Sequence, residues 1–330
     1  MCIRDRAELI EDLGMDAIWF AEHYFTGECV YGDPIVFASA VAVRTKRVLL
    51  GFGILELPLH NPVRVATQTA LLDNLCKGRL VVGTAKGSNY NAYEYVGFGA
   101  DPSIAAEQME EAEDLLVKAW TTDNLDFNGK YWRASFPMVR PRPYQKPHPP
   151  LARACQQDES IIEMAKIGRP VLLRGGSINV TGEKIRLYRD TMAASGFSEE
   201  AVEKNLDQIW VWREMHVAET DGQALDEFLP AHLQAYLKME EFRQAWNPKD
   251  VSMSVQGPPM DKSGYGRSPN PTASENLVGS PIRVAEQVAL MRDVGVRNLM
   301  LTNRGLVSNE KTSLSLRLLS EKVMPLFKKS

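Results

Sequence analysis

Glu22, His23 and Tyr24 stand together at the end of an apolar run in AIWFAEHYF, residues 17 to 25. An imidazole between a carboxylate and a phenol suits proton traffic. Its charge changes near neutral pH, and a neighbouring carboxylate biases that change. The plainer reading is a strand that leaves the core, with His23 capping its end. His60 and Asn61 in LPLHNP form a second polar pair, in which Asn61 also reads as a helix cap. Glu22, His23 and His60 are residue types that bind metals. No H-x-H follows the first strand, however, and no later Lys, His and Asp series completes such a set, so no metal is expected.

The elements that must position these groups alternate along the chain. MDAIWFAEH, RVLLGFGILELP, RLVVGTAKG, PPLARAC, PVLLRGG, LDQIWVWREMHVA and RNLMLTN are seven apolar, strand-like runs. Near-continuous apolar character marks strands covered on both faces. Helices fall between them. AELIEDLG is closed by Gly14, a second helix opens on Asp33-Pro34, and a third runs from Asn61-Pro62 to the stop at Gly78. Further helices are expected over 103–120, DESIIEMAKIG, TGEKIRLYRDTMAASG, 221–246, SPIRVAEQVALMRDVG and SLSLRLLSEKVMPLF. Strand-then-helix repetition implies an α/β fold with a parallel sheet and right-handed crossovers. A chain of 330 residues is long enough to close that sheet into a (β/α)8 barrel of TIM type with insertions. An open doubly wound sheet is the alternative, but no G-x-G-x-x-G follows the first strand.

A barrel presents its active groups at the C-terminal ends of its strands. That rule selects residues 22–24, 55–60, 85–89, 154–160, 174–177 and 214–216. Trp210 and Trp212 alternate on one strand; one is a candidate to face a ligand, with its phase partner turned outward, and core packing is expected for both. Residues 121–149 break the rhythm as an insertion. They hold a hairpin around Asn128-Gly129 and then RPRPYQKPHPP, a pinned loop. Residues 247–278 carry Pro, Gly, Ser and Asn without a period, and a lid-like loop is expected there. The strand count is one short of eight, and the missing strand would precede AELIEDLG. The barrel therefore reads as lacking its first strand, and MCIRDR, residues 1–6, reads as non-native. Residues 1–330 otherwise form one barrel domain.

Composition narrows the function. Lys plus Arg is 38 against 42 Asp plus Glu, a net charge of −4, which disfavours a general nucleic-acid binder. Four cysteines lie at 2, 29, 76 and 155 with no CxxC pair, so free thiols are expected. No apolar run approaches the ~20 residues of a membrane span, and no secretory segment follows the start. A cytoplasmic protein is expected.

EHYF, the block LPLHNPVRVATQTALLDNLCKGRLVVGTAKG and the later GSPIRVAEQVALMRDVGVRNLML together resemble the bacterial luciferase-like flavin-dependent monooxygenases. The resemblance runs over nearly all of residues 7 to 325. It implies an oxidoreductase whose barrel binds reduced FMN supplied by a separate flavin reductase. O2 then adds to the flavin, and the resulting peroxyflavin oxidises a small organic substrate. His23 matches the family's essential histidine, with Glu22 orienting that ring or shaping its pocket. The family's flavin lies against a non-prolyl cis peptide, and the matching bond is Gly53–Ile54, where glycine eases the approach of a flat ring. For the phosphate, Lys86 stands where the family commonly has a basic residue. Gln156, Gln157 and Ser160 open a helix whose free N–H groups suit an anion. Ala105 and Ala106 stand where relatives often carry Ser-Arg; Arg153 or Arg174 can substitute, each with an equal ion-pair reading. The resemblance also implies a homodimer or heterodimer. A deazaflavin-dependent dehydrogenase and a non-catalytic flavin-binding subunit are the alternatives on the same barrel.

Overall fold

The computed structural model describes residues 3–174, 176–249, 276–303 and 307–327. The first half runs α1 (Ile3–Asp12), β1 (Ala17–Phe20), α2 (Pro34–Ala42), β2 (Leu49–Phe52), β3 (Leu55–Glu56), α3 (Pro62–Leu75), β4 (Leu80–Ala85), α4 (Ala92–Phe98) and α5 (Ala105–Thr121). A hairpin follows, β5 (Leu125–Asn128) and β6 (Arg133–Phe136). The second half runs β7 (Leu151–Cys155), α6 (Asp158–Lys166), β8 (Val171–Arg174), α7 (Ile178–Ala194), α8 (Glu199–Leu206), β9 (Trp210–Val217) and α9 (Asp221–Trp246). It ends with β10 (Leu277–Gly279), α10 (Pro281–Asp293), β11 (Asn298–Thr302) and α11 (Asn309–Leu318).

Local chemistry sets these boundaries. Asp33 accepts the N–H groups of Ile35 and Val36 at the head of α2, and Asn61 accepts that of Arg64 at the head of α3. Gly14 and Gly78 adopt the positive φ that ends α1 and α3. Helix α1 begins at Ile3, so residues 3–6, read as non-native and left out of the fold, are helical. Glu11 shows what that helix does, since its carboxylate accepts the backbone N–H groups of Lys46, Arg47 and Val48 ahead of β2.

All strands of the main sheet are parallel, in the order β1-β2-β4-β7-β8-β9. Beyond them β11 pairs with the first half of β9 and β10 with its end, while β3 pairs with β4. The sheet is curled, with a mostly apolar cluster inside it. There Trp19 of β1 meets Trp210 of β9, with ring centroids 5.1 Å apart, and both pack with Met300 of β11, Leu172 and Ile54. Two larger cores fill the space between sheet and helices, one for each half of the chain. Strand spacing on the inner face depends on Gly83, where a Cβ would lie 2.1 Å from the Phe52 carbonyl oxygen. The α/β class and the barrel-type sheet agree with the sequence reading.

The insertion is the expected hairpin. β5 and β6 pair antiparallel, Asn128 opposite Arg133, and Glu111 of α5 accepts the N–H groups of Lys130, Tyr131 and Trp132 at its turn. The proline-rich loop is pinned by Gln145, whose backbone and side-chain N–H groups reach Asp73 at 2.8 Å each. The lid-like loop expected over 247–278 falls largely outside the described residues, and its last part is not a loop: Leu277–Gly279 is a strand beside β9. Asn247, at its start, caps α9. The run RVLLGFGILELP, read as one strand, is split into β2 and β3, and the sequence reading passed over α4 and α8.

Candidate active site

The end of β1 delivers Glu22 and His23 to different partners. Glu22 is buried, and one of its oxygens accepts from His60 Nε2 at 2.7 Å and from the Tyr24 hydroxyl. The other accepts the backbone N–H of Glu56. Glu22 therefore locks the turn after β3 to the end of β1 and orients His60. The expectation that it orients the His23 ring is not met. Burial opposes a charge on His60, but the hydrogen bond to Glu22 and its negative charge outweigh it and raise the imidazole above its ordinary value.

His23 meets a second set of groups, supplied by the segment after β4. Its Nδ1 lies 3.4 Å from Glu94 Oε1 and 3.3 Å from Asn91 Nδ2, and its side chain keeps 24% exposure. Glu94 is fully buried, and its Oε1 also accepts the Tyr24 backbone N–H at 2.7 Å. Glu56 completes the cluster. It is buried, and its Oε2 has no hydrogen-bond partner among the described residues. Donor atoms of His23, Glu56 and Glu94 all lie within 4.8 Å of one another, a spacing that suits a small cation or a shared proton. It is a different trio from the Glu22, His23 and His60 set weighed in the sequence.

The surrounding charges shift both titratable groups of the cluster. Burial works against a charge on His23, but Glu28, Glu94 and Glu56 together raise it to about 9. Burial pushes Glu56 up to about 8, helped by Glu94, Glu22 and Glu28 and opposed by His23. The two shifts point the same way, so the cluster retains protons that free side chains would release. The imidazolium is itself the cation that Glu94 needs.

Two residues before Glu56 the chain joins the apolar inner cluster at Ile54. Gly53–Ile54 is a cis peptide between β2 and β3, at the bond the family resemblance selected. A Cβ on Gly53 would approach the Met300 sulfur to 3.0 Å and the Trp19 ring to 3.3 Å, so the backbone there is bare on a crowded face. Trp210 and Trp212 both join the inner cluster, while Val211 joins the outer core. Residues two apart share a strand face, so neither tryptophan is the outward partner of the other.

The residues assigned to phosphate are less gathered. Lys86 is exposed just beyond β4. Gln157 is the N-cap of α6 but makes no side-chain capping bond, and the first turn carries Asp158 and Glu159, which oppose an anion there. The Gln156 carbonyl accepts from Lys184 Nζ at 2.7 Å, and that of Ser160 accepts from the Cys155 thiol. Lys184, from α7, is a cation at this loop that the sequence reading did not find; only the tertiary fold brings it there. Arg153 is bound to Glu113, as is Arg169, and Glu113 also accepts from the Thr84 hydroxyl. The ion-pair reading of Arg153 holds. Arg174 places its guanidinium 5.3 Å over the Trp212 ring. At the end of β9, Glu214 pairs with His232 at 2.7 Å and His216 with Glu227 at 2.8 Å, which fastens α9 to the sheet.

Similar proteins bear on what the cluster is for. The family described as luciferase-like monooxygenase matches residues 2–298. Flavin-dependent trigonelline monooxygenase, oxygenase component, from Acinetobacter baylyi is 24% identical over 96% of this chain and 87% of its own length. Among solved structures, monooxygenase RslO1 from Streptomyces bottropensis superposes with a TM-score of 0.80 at 23% identity, covering 98% of this chain and 92% of that one. The oxygenating constituent of 3,6-diketocamphane monooxygenase from Pseudomonas putida, in complex with FMN, gives 0.73 at 17% identity over 99% and 93%. At these identities the two structures speak for the fold. A parallel sheet carrying His23 at a strand end, together with a sequence match over most of the chain, places this protein in the luciferase-like monooxygenase family, whose homologues are flavin-dependent monooxygenases.

Proposed function

We propose that this chain is the oxygenase of a flavin-dependent monooxygenase: it takes reduced FMN from a separate reductase and uses O2 to oxidise a small organic substrate. One observation carries the reading. Glu56, which joins His23 and Glu94 in one cluster, stands two residues along the chain from the cis Gly53–Ile54 bond, and Ile54 packs with the apolar group of Trp19, Trp210 and Met300. Reduced flavin bound there supplies the electrons that activate O2. The protein's residues do the rest. Trp19, Ile54, Trp210 and Met300 form a dry surface, which protects reactive oxygen chemistry from water. His23, charged at neutral pH, holds a proton at Nδ1 against Glu94, ready for a step that must move one. Lys86, exposed beyond β4, and Lys184, bonded to the Gln156 carbonyl, are the cations offered to the phosphate.

The reading is tested by supplying reduced FMN and O2 to the purified protein with a panel of small organic substrates, alongside a reduced deazaflavin. Oxygen uptake coupled to an oxygenated product is expected with FMN only. His23→Asn, which keeps a polar ring-sized group but holds no proton, should lower coupled turnover by roughly 10²–10⁴-fold. Hydride transfer from the deazaflavin without oxygen uptake, or tight FMN binding with no substrate consumed, would overturn the proposal.

A further inference from the structure

His23 Nδ1 lies between two groups that require opposite states of it. Glu94 Oε1, 3.4 Å away, accepts and so favours a protonated nitrogen. Asn91 Nδ2, 3.3 Å away, can only donate and so needs a bare one. Which end of the Asn91 amide faces the ring is fixed from the other side. Arg243 Nε donates to Asn91 Oδ1 at 3.1 Å, and a guanidinium has no acceptor, so the oxygen must face Arg243 and the amino group His23.

Helix α9 holds that arrangement in place. Arg243 Nη1 donates to Glu240 at 2.7 Å, one turn back. Asn247, one turn on, accepts the Tyr93 backbone N–H at 2.8 Å and donates to the Tyr90 carbonyl at 2.9 Å. The last turns of α9 thus clamp the 90–94 segment that carries both Asn91 and Glu94.

We propose that Arg243 is a positioning residue which, through the Asn91 amide, determines how readily His23 gives up its Nδ1 proton. The charged ring donates Nδ1–H to Glu94. The neutral ring keeps its proton on Nε2, and its bare Nδ1 accepts from Asn91. Without Arg243 the amide is free to turn its oxygen to the ring, and both neighbours then favour the imidazolium. Glu28, Glu56 and Glu94 already press His23 toward the charged form, so Asn91, as Arg243 holds it, is the counterweight that lets the proton leave. The inference rests on His23 handling a proton in turnover, but its test reads the ring directly.

The experiment is a pH titration of the His23 ring nitrogens by 15N NMR in the full-length, flavin-free protein. Arg243→Leu should raise the proton affinity of His23 roughly three- to tenfold, the worth of one hydrogen bond. Arg243→Lys keeps a donor-only cation and should restore the wild-type midpoint. In an Asn91→Leu background, Arg243→Leu should have no further effect. An equal rise in that background would mean that the arginine acts only through its charge, and the relay would be refuted. Asn91→Asp, which leaves Arg243 in place, must raise the midpoint as well, and an unchanged midpoint there also refutes it. Midpoints that move as expected while oxygen uptake stays insensitive to His23 would leave the relay standing and remove the proposed function.

Discussion

Replacing Glu56 by glutamine should remove a pH-dependent weakness of the fold. Glu56 is 2% exposed, with an unpartnered carboxylate oxygen beside Glu94, Glu22 and Glu28. The folded protein holds its proton until about 8, whereas the unfolded chain releases it near 4.5. The folded state is therefore the better proton binder between those values. Stability from this group is full below 4.5 and falls as pH rises through about 8. One proton of difference costs about 1.4 kcal/mol per pH unit, so on the order of 3 kcal/mol is lost between pH 6 and pH 8. Glutamine has nearly the same volume and no proton to lose. His23, raised to about 9 in part by Glu56, adds a fall of the same sign from pH 6.5 upward, and the variant loses the Glu56 share of that fall as well. Urea unfolding at pH 6, 7 and 8 should show wild type losing stability faster than Glu56→Gln by at least that amount. Infrared difference spectra should show a protonated-carboxyl band at pH 7 that the variant lacks. Equal losses for the two proteins, with no such band, would refute the reasoning.

Three further outcomes follow from the geometry. His60→Leu leaves Glu22 buried without its cationic partner and should destabilise by about 2–4 kcal/mol at neutral pH, by urea unfolding. Because His60 is raised by that pairing, the difference from wild type should shrink as pH climbs past the imidazole's elevated value. Gly83→Ala puts a Cβ on the Phe52 carbonyl oxygen, a backbone atom that cannot swing aside; β2 and β4 must part, at about 3 kcal/mol, read as a lowered thermal midpoint. Glu113→Gln removes the buried countercharge that Arg153 and Arg169 share, leaving Arg153 only the half-exposed Glu163, and should cost about 3 kcal/mol, again in thermal unfolding, with little change in His23 titration.

The strand ends were legible because a barrel rule turns a one-dimensional pattern into an address. Seven apolar runs with capped helices between them predict which residues reach the active rim, and Glu22, His23, Glu56 and His60 are among them. Partners were not legible. Glu94, Asn91 and Arg243 reach His23 from 68 to 220 residues away, and each sits in a stretch that reads as an ordinary polar helix or loop. Short elements were harder to read. β3 lies inside the run read as one strand with β2, and β10 is three residues long, too brief to show a period, and is a strand because β9 offers it a ladder. Of the two roles expected of Glu22, orienting the His23 ring finds no bond to support it. At the end of β1 successive side chains part company, so Glu22 turns to His60 while His23 turns to Glu94.

The hairpin latched by Glu111 has a consequence for how this chain can vary. Its backbone is satisfied by its own ladder and by the Glu111 carboxylate, Glu107 and the Gln108 carbonyl hold its side chains, and Leu125 and Phe127 enter the first-half core, so it is fastened along one face. Lengthening such a module adds loop entropy only logarithmically. Its exposed turn can therefore lengthen while Glu107, Glu111 and the apolar side chains that enter the core are kept, and the rim that carries His23 is left alone.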